Sequence, residues 1–260
     1  MTEPAATANS DSDAAPLAGK AALITGAARR VGATIARALH AAGASIVLHH
    51  RSSAEEAAAL AQQLNGVRPG SATLAQCDLL DASAVAELAH TAATAFGGLD
   101  ILVNNASSFY PTPVGDIDED DWNDLIGTNL KAPLFLAQAA APALRERDGL
   151  IVNLADIHGM RPLRRHPVYS VAKAGLIMLT KSLARELGPQ VRVNAIAPGP
   201  VMWPENGLDA ALQAEIIDRT ALKRIGSAED VARAVLFFAT SAPFITGQIL
   251  AVDGGRSIGW

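Results

Sequence analysis

After a polar opening segment, the chain alternates short apolar runs with longer stretches in which apolar positions recur every three to four residues. The short runs read as strands buried on both faces, and the longer pattern reads as amphipathic helix. Strands are expected at Ala21–Thr25, Ser45–His49, Ala72–Gln76, Ile101–Val103, Leu150–Leu154, Val191–Ile196 and Gln248–Val252. Helices are expected at Arg30–Ala42, Ala54–Leu64, Asp81–Phe96 and Val168–Leu187. Asp121–Arg147 reads as one long or broken helix, and Asp209–Thr240 as a helical region. This alternation predicts an α/β fold: a single-domain, doubly wound parallel sheet, Rossmann-like, of about seven strands with helices on both faces. Ligands of such sheets sit beyond the carboxyl ends of the strands, so the residues just after each strand are the candidates for chemistry.

Composition narrows the classes. A length of 260 residues with 50% hydrophobic and 18% charged residues suits one globular domain. A net charge of −5 gives no basic surface for nucleic acid. The single cysteine, Cys77, excludes an intrachain disulfide and is compatible with a reducing compartment. No apolar run is long enough to span a bilayer. Residues 1–16 carry no Lys or Arg and lack the basic and apolar regions of a signal peptide. Residues 1–17 are therefore expected to be a disordered tail and 18–260 the folded domain. The cytoplasm is the expected location, with neither nucleic acid nor membrane as partner.

The first strand runs into Thr25-Gly26-Ala27-Ala28-Arg29-Arg30-Val31-Gly32. A glycine-bearing turn between strand and helix offers backbone N–H groups and a helix N-terminus to a pyrophosphate. An ordinary tight turn would look the same, but this one sits on the first strand of an alternating chain. At the end of the second strand, His49-His50-Arg51-Ser52, no acid appears until Glu55. An acid here would hold the ribose hydroxyls of NAD and repel a 2′-phosphate. Arg51 can grip that phosphate bidentately and Ser52 can add a hydroxyl, so NADPH is expected over NADH. A solvated surface arginine is the alternative reading. Asp78, followed by Leu79, could bond the adenine amino group or cap the next helix.

Tyr169 and Lys173 stand four residues apart at the start of a helix and share a face. A nearby ammonium is expected to lower the pKa of the phenol and make it an acid–base group at neutral pH.

Together, Thr25-Gly26 with Gly32, Asn104-Asn105-Ala106, Asn129, Tyr169 with Lys173, Pro198-Gly199 and Asp253-Gly254-Gly255 resemble the motif set of the short-chain dehydrogenase/reductase family. The resemblance covers roughly residues 18 to 257 and implies Tyr169 as proton donor, Lys173 as its assistant and Asn129 as holder of a relay water. It also implies Asn105 and Ala106 in the cofactor groove, with Pro198 and Gly199 near the nicotinamide.

Three departures from the family pattern point further. The serine usual thirteen residues before the tyrosine is Asp156 here. A carboxylate only accepts hydrogen bonds and would repel a developing alkoxide, which disfavours ordinary ketone reduction. The usual middle glycine of the turn is Arg30, a cation able to reach both pyrophosphate and a substrate oxygen. The usual Asn-Ala-Gly continues instead as Asn105-Ala106-Ser107-Ser108-Phe109-Tyr110-Pro111. A flat heteroaromatic ring could be sandwiched between Phe109 and the nicotinamide. These features are similar to the pteridine reductase branch, which implies NADPH-dependent reduction of a 7,8-dihydropterin to the tetrahydro form. Tyr169 would protonate the ring nitrogen, while Asp156 bonds the ring or serves Tyr169 through water. Cofactor contacts then fall to Gly26, Arg30, Val31, His50, Arg51, Ser52, Asp78, Leu79, Asn105, Ala106, Ser107, Lys173, Pro198 and Gly199. Substrate contacts fall to Arg30, Ser107, Phe109, Asp156, Tyr169 and Trp203. Reduction of oxidised pterin or dihydrofolate stays open.

Two other functions compete. A carbonyl reductase of the same family is opposed by Asp156, and a non-catalytic NADP(H)-binding sensor by the intact Asn129, Tyr169 and Lys173. The six histidines show no metal spacing and are read as surface or packing residues. The alternatives are His50 beside the adenosine ribose, and His158 and His166, which flank the loop after Asp156, against substrate. Arg161, Arg164 and Arg165 read as a solvated loop or a site for an anionic substrate tail. Trp203 reads as part of a substrate lid or as a core residue. A homotetramer is expected by resemblance alone.

Overall fold

The computed structural model describes residues 15–204 and 207–259. Its centre is a seven-stranded, all-parallel sheet of β1 (Ala21–Ile24), β2 (Ser45–His50), β3 (Ala72–Gln76), β4 (Ile101–Asn104), β5 (Leu150–Leu154), β6 (Arg192–Pro198) and β7 (Ile249–Val252). The strand order β3-β2-β1-β4-β5-β6-β7 reverses direction between β1 and β4, the switch point at which α/β sheets bind ligands. The helices are α1 (Arg30–Ala41), α2 (Ala54–Val67), α3 (Ala82–Ala95), α4 (Glu119–Ile126), α5 (Ala132–Arg145), α6 (Pro167–Leu187), α7 (Ala210–Asp218) and α8 (Ala228–Thr240).

Central strands are buried on both faces because adjacent apolar side chains enter opposite layers. Ile24 joins Ile35, Leu39, Val235 and Phe238 under α1 and α8. Its neighbour Leu23 joins Leu102, Ile151, Leu136 and Leu183 under α3, α5 and α6. A fully buried leucine or isoleucine is worth roughly 1.5–3 kcal/mol, and these two layers supply most of the apolar driving force.

The differences from the expected elements have local causes. β2, β4 and β6 each run further than the apolar pattern, to His50, Asn104 and Pro198. The polar residues added are held by ladder bonds, which hydropathy does not report. The segment around 121–147 is broken by a π-helical turn at Gly127–Lys131, followed by Pro133 near the start of α5. The 209–240 region divides into α7 and α8, the latter opened by a Ser227/Asp230 capping box. The expected tail ends earlier than residue 17, because Leu17 is buried and its N–H donates to the Ala42 carbonyl at 2.8 Å. Residues 1–14 lie outside the described residues.

A buried polar ladder fixes α6 against the sheet. Asn104 Nδ2 donates to Asn153 Oδ1 (2.8 Å), Asn153 Nδ2 to Thr180 Oγ1 (2.9 Å), and Thr180 Oγ1 to the Leu176 carbonyl (2.8 Å). Slippage would orphan these groups at about 1–3 kcal/mol each, so the ladder sets the register of the helix carrying Tyr169 and Lys173. Among the described residues no helix is long and apolar enough to cross a membrane, and no cluster of side chains could hold a metal.

Candidate active site

At the carboxyl ends of β1, β2, β3 and β4 lies a cleft of about 380 Å³. It gathers Gly26, Arg30, Val31, His50, Arg51, Ser52, Asp78, Leu79, Asn105, Ala106 and Ser107, eleven of the fourteen cofactor residues expected from sequence. Lys173, Pro198 and Gly199 lie outside its lining. The turn after β1 is built for close approach. A Cβ on Gly32 would meet the Gly26 carbonyl oxygen at 2.2 Å, and one on Gly26 would meet Ala106 Cα at 3.0 Å. Asn105 binds the turn from β4, Nδ2 donating to the Thr25 and Gly26 carbonyls at 2.8 and 3.0 Å. Arg30 has φ +52°, in the left-handed region that favours glycine. Its Nη2 donates to the Trp203 carbonyl at 2.9 Å, tying the turn to the segment after β6. Trp203 thus meets Arg30 through its backbone carbonyl.

Asp78 is not a helix cap. Asp81 caps α3, accepting from the Ser83 and Ala84 amides, whereas Asp78 Oδ1 accepts from the Leu80 amide at 3.0 Å and faces the cleft.

The catalytic candidates meet on the β4–β5–α6 side. Asp156 leaves β5 in extended backbone, and its Oδ1 accepts from the His158 amide at 2.8 Å. Its Oδ2 accepts directly from the Tyr169 hydroxyl at 2.8 Å, with no water needed between them. Lys173 is buried, with Nζ donating to the Leu154 carbonyl at 2.9 Å and lying 5.6 Å from the Tyr169 ring centroid. These contacts reverse one expectation. Burial, then the charge and hydrogen bond of Asp156, push the Tyr169 pKa well above its ordinary value, with Ser107 opposing weakly. The lysine was expected to lower it, but the carboxylate is bonded to the hydroxyl while the ammonium is bonded elsewhere. Burial also lowers Lys173 to about 8, against the pull of Asp156. The phenol is therefore a neutral donor at working pH.

Asn129 sits in the π-helical turn, fully buried. Its Nδ2 donates to the Ser108 and Leu125 carbonyls, both at 2.9 Å, and its Oδ1 accepts from Ser107 Oγ at 2.6 Å. The side chain thus braces the loop after β4. Both amide hydrogens are committed, so a relay water would have only acceptor positions on this residue.

That loop presents Phe109, half-exposed, with its ring stacked on His166 at 4.8 Å and 10° and set edge-on to Tyr169 at 4.8 Å and 74°. The residues on either side of Phe109 share one anchor that the sequence reading missed. Asp124 of α4 accepts from Ser108 Oγ at 3.0 Å, and its charge acts on Tyr110, which burial first and this carboxylate next push up to about 12. Its position three residues before Gly127 carries no recognisable motif. His166, read from sequence as a surface or packing residue with substrate contact the lesser alternative, packs on Phe109 at the residue just before α6.

This sheet order, glycine turn and buried Tyr–Lys pair define an oxidoreductase site, and comparison with known proteins agrees. The family model described as enoyl-(acyl carrier protein) reductase matches residues 26–257. The chain belongs to the short-chain dehydrogenase/reductase family. It is 38% identical to pteridine reductase 1 of Leishmania tarentolae, over 91% of this chain and 96% of that protein. It is 36% identical to the 3-oxoacyl-(acyl-carrier-protein) reductase FabG of Staphylococcus aureus, over 91% and 97%. A short-chain type dehydrogenase/reductase of Picea abies is 35% identical over 92% and 93%.

The family implies a nicotinamide dinucleotide, and the cleft fits one. A glycine turn opens at a helix start, Arg30 and Arg51 line the wall, and His50 Nδ1 is buried with no hydrogen-bond partner.

Proposed function

We propose that this protein is an NADPH-dependent pteridine reductase that converts a 7,8-dihydropterin to its tetrahydro form. The observation that carries the reading is the 2.8 Å bond between Tyr169 and Asp156. A carboxylate in that place repels the oxyanion that forms when a ketone is reduced. Reduction of a C=N bond forms no oxyanion. When bound in the cleft, reduced nicotinamide supplies the hydride that forms the new C–H bond. The C=N π pair becomes a lone pair on nitrogen and takes the Tyr169 proton, leaving the O–H pair on the phenolate oxygen. The raised pKa of Tyr169 keeps that proton in place until a base of sufficient strength is generated. Lys173, beneath the ring, offsets the charge left behind. A planar heterocycle entering here exchanges one ring contact of Phe109 for another, at little net cost.

The preference for NADPH rests on the β2 exit, where the cleft is lined by His50, Arg51 and Ser52 and no carboxylate. The proposal extends to a homotetramer. Leu134, Phe135, Val171 and Met178 leave an apolar face on α5 and α6, and Phe237 and Leu250 leave a second on α8 and β7. Pairing of each face with its own copy would build a tetramer rather than a dimer, which sedimentation velocity can check.

Reduction of a 3-oxoacyl thioester is the second reading, favoured by the 36% identity to such reductases. NADPH oxidation followed with 7,8-dihydrobiopterin, dihydromonapterin, dihydrofolate and an acetoacetyl thioester separates the two. Turnover of dihydropterins with little on the thioester is expected, and the reverse order overturns the reading.

A further inference from the structure

His49 sits one residue before the end of β2, just past the last β1–β2 pair, Ile24 with Leu48. At that point β1 leaves the sheet to become the glycine turn. The first two amides of the turn after Thr25 both end on this one histidine. The Gly26 N–H donates to His49 Nδ1 at 3.1 Å, and the Ala27 N–H donates to the His49 carbonyl at 2.8 Å. On the far side of the ring, Nε2 lies 3.2 Å from the Cys77 carbonyl, just beyond the end of β3. A carbonyl can only accept, so Nε2 carries the hydrogen and Nδ1 is left as the acceptor that the Gly26 amide requires. The imidazole is 2% exposed and lines the floor of the cleft.

We infer that His49 is a positioning residue for the dinucleotide: a neutral imidazole, fixed in one tautomer, that clamps the phosphate turn to the exits of β2 and β3. The inference rests on the dinucleotide cleft and is independent of which substrate is reduced. Two consequences follow. The Gly26 amide is committed to His49, so the turn offers a pyrophosphate the amides at the start of α1 instead. Loss of the clamp acts on the pyrophosphate region, which NADPH and NADH share, whereas Arg51 acts only where the two differ. Burial keeps the ring neutral, and the charged or titratable groups acting on it are His50 and Asp78.

The test is dinucleotide binding by fluorescence titration on the full-length protein, with melting temperature recorded for each variant. Asn places an oxygen at the same bond distance from Cβ as Nδ1. Gln places its amide at the distance of Nε2. His49→Asn should bind NADPH and NADH within about threefold of the parent, and His49→Gln and His49→Leu should weaken both about tenfold, the factor expected for one misplaced hydrogen-bonding group. The inference is overturned if Asn and Gln behave alike, if affinity simply tracks melting temperature, or if only NADPH is affected. A measurement on the parent protein covers the case in which variants do not fold. Long-range ¹⁵N correlation spectra should show His49 with hydrogen on Nε2 and no titration near pH 6.5, and a protonated Nδ1 overturns the inference.

Discussion

The adenosine end of the cleft and the reaction end are built from the same sheet edge but by opposite means. At the adenosine end the working groups are exposed: Arg30 and Arg51 reach solvent, and recognition depends on charge placed along an open wall. At the reaction end Tyr169, Lys173 and Asn129 are 4%, 2% and 1% exposed, and every polar atom described there bonds to protein. Charge in the open region acts through screened attraction. In the buried region it acts by setting protonation, because removing water amplifies each neighbour. Burial first, and the carboxylate of Asp156 next, therefore reverse the expected direction for Tyr169.

The contrast can be broken most severely at the buried end. Tyr169→Phe removes the proton donor of the proposed reaction and should lower kcat by about 10³-fold while NADPH affinity stays within a factor of about two. Steady-state kinetics with a binding titration checks this. An equal loss of affinity would mean that the ring serves the cofactor. At the open end, Arg51→Asp replaces the cation proposed to meet the 2′-phosphate with a repelling anion. It should shift the NADPH-to-NADH preference by about 10–100-fold, measured as the ratio of kcat/KM values, with little change in kcat. An unchanged ratio removes Arg51 from the phosphate site.

The floor between the two regions gives a pH test. Burial lowers His49 from 6.5 to about 4, with the Cys77 carbonyl opposing. The unfolded chain therefore takes up this proton first as pH falls. The contribution of His49 to stability is complete above pH 6.5 and is lost as pH falls from there to about 4, at a total of roughly 3 kcal/mol. Urea unfolding across that range should show the loss, and His49→Asn should flatten the part that belongs to this residue. The smallest effect is expected at Arg30, whose φ of +52° costs about 1 kcal/mol in a residue with a Cβ. Arg30→Gly should raise Tm by about 2–4 °C while weakening NADPH binding. A fall in Tm would mean that the side-chain contacts of Arg30, the bond to Trp203 among them, outweigh the strain.

Much of this was legible in sequence where the signal is local. The β/α alternation, the glycine turn and the Tyr169–Lys173 spacing are short-range patterns, and all seven strands lie where hydropathy put them to within two residues. What was not legible arises where distant segments meet. His49 reads as a strand residue until Gly26, 23 positions earlier, and Cys77, 28 later, close on its two nitrogens. Asp124 reads as one acid among several on α4 until the folded loop brings Ser108 and Tyr110 to it. The sign of the Tyr169 shift was inaccessible for the same reason: it depends on how deeply the folded chain buries the hydroxyl and on the carboxylate that then holds it.

The central claim, a neutral phenol held by Asp156, can be read directly because the chain has only two tyrosines, Tyr110 and Tyr169. With tyrosines ¹³C-labelled at Cζ and assigned by Tyr169→Phe, neither resonance should move between about pH 6 and pH 10, since both phenols are raised. A Tyr169 resonance that titrates with a midpoint below about 9 would show a phenolate favoured by Lys173 and would contradict the account.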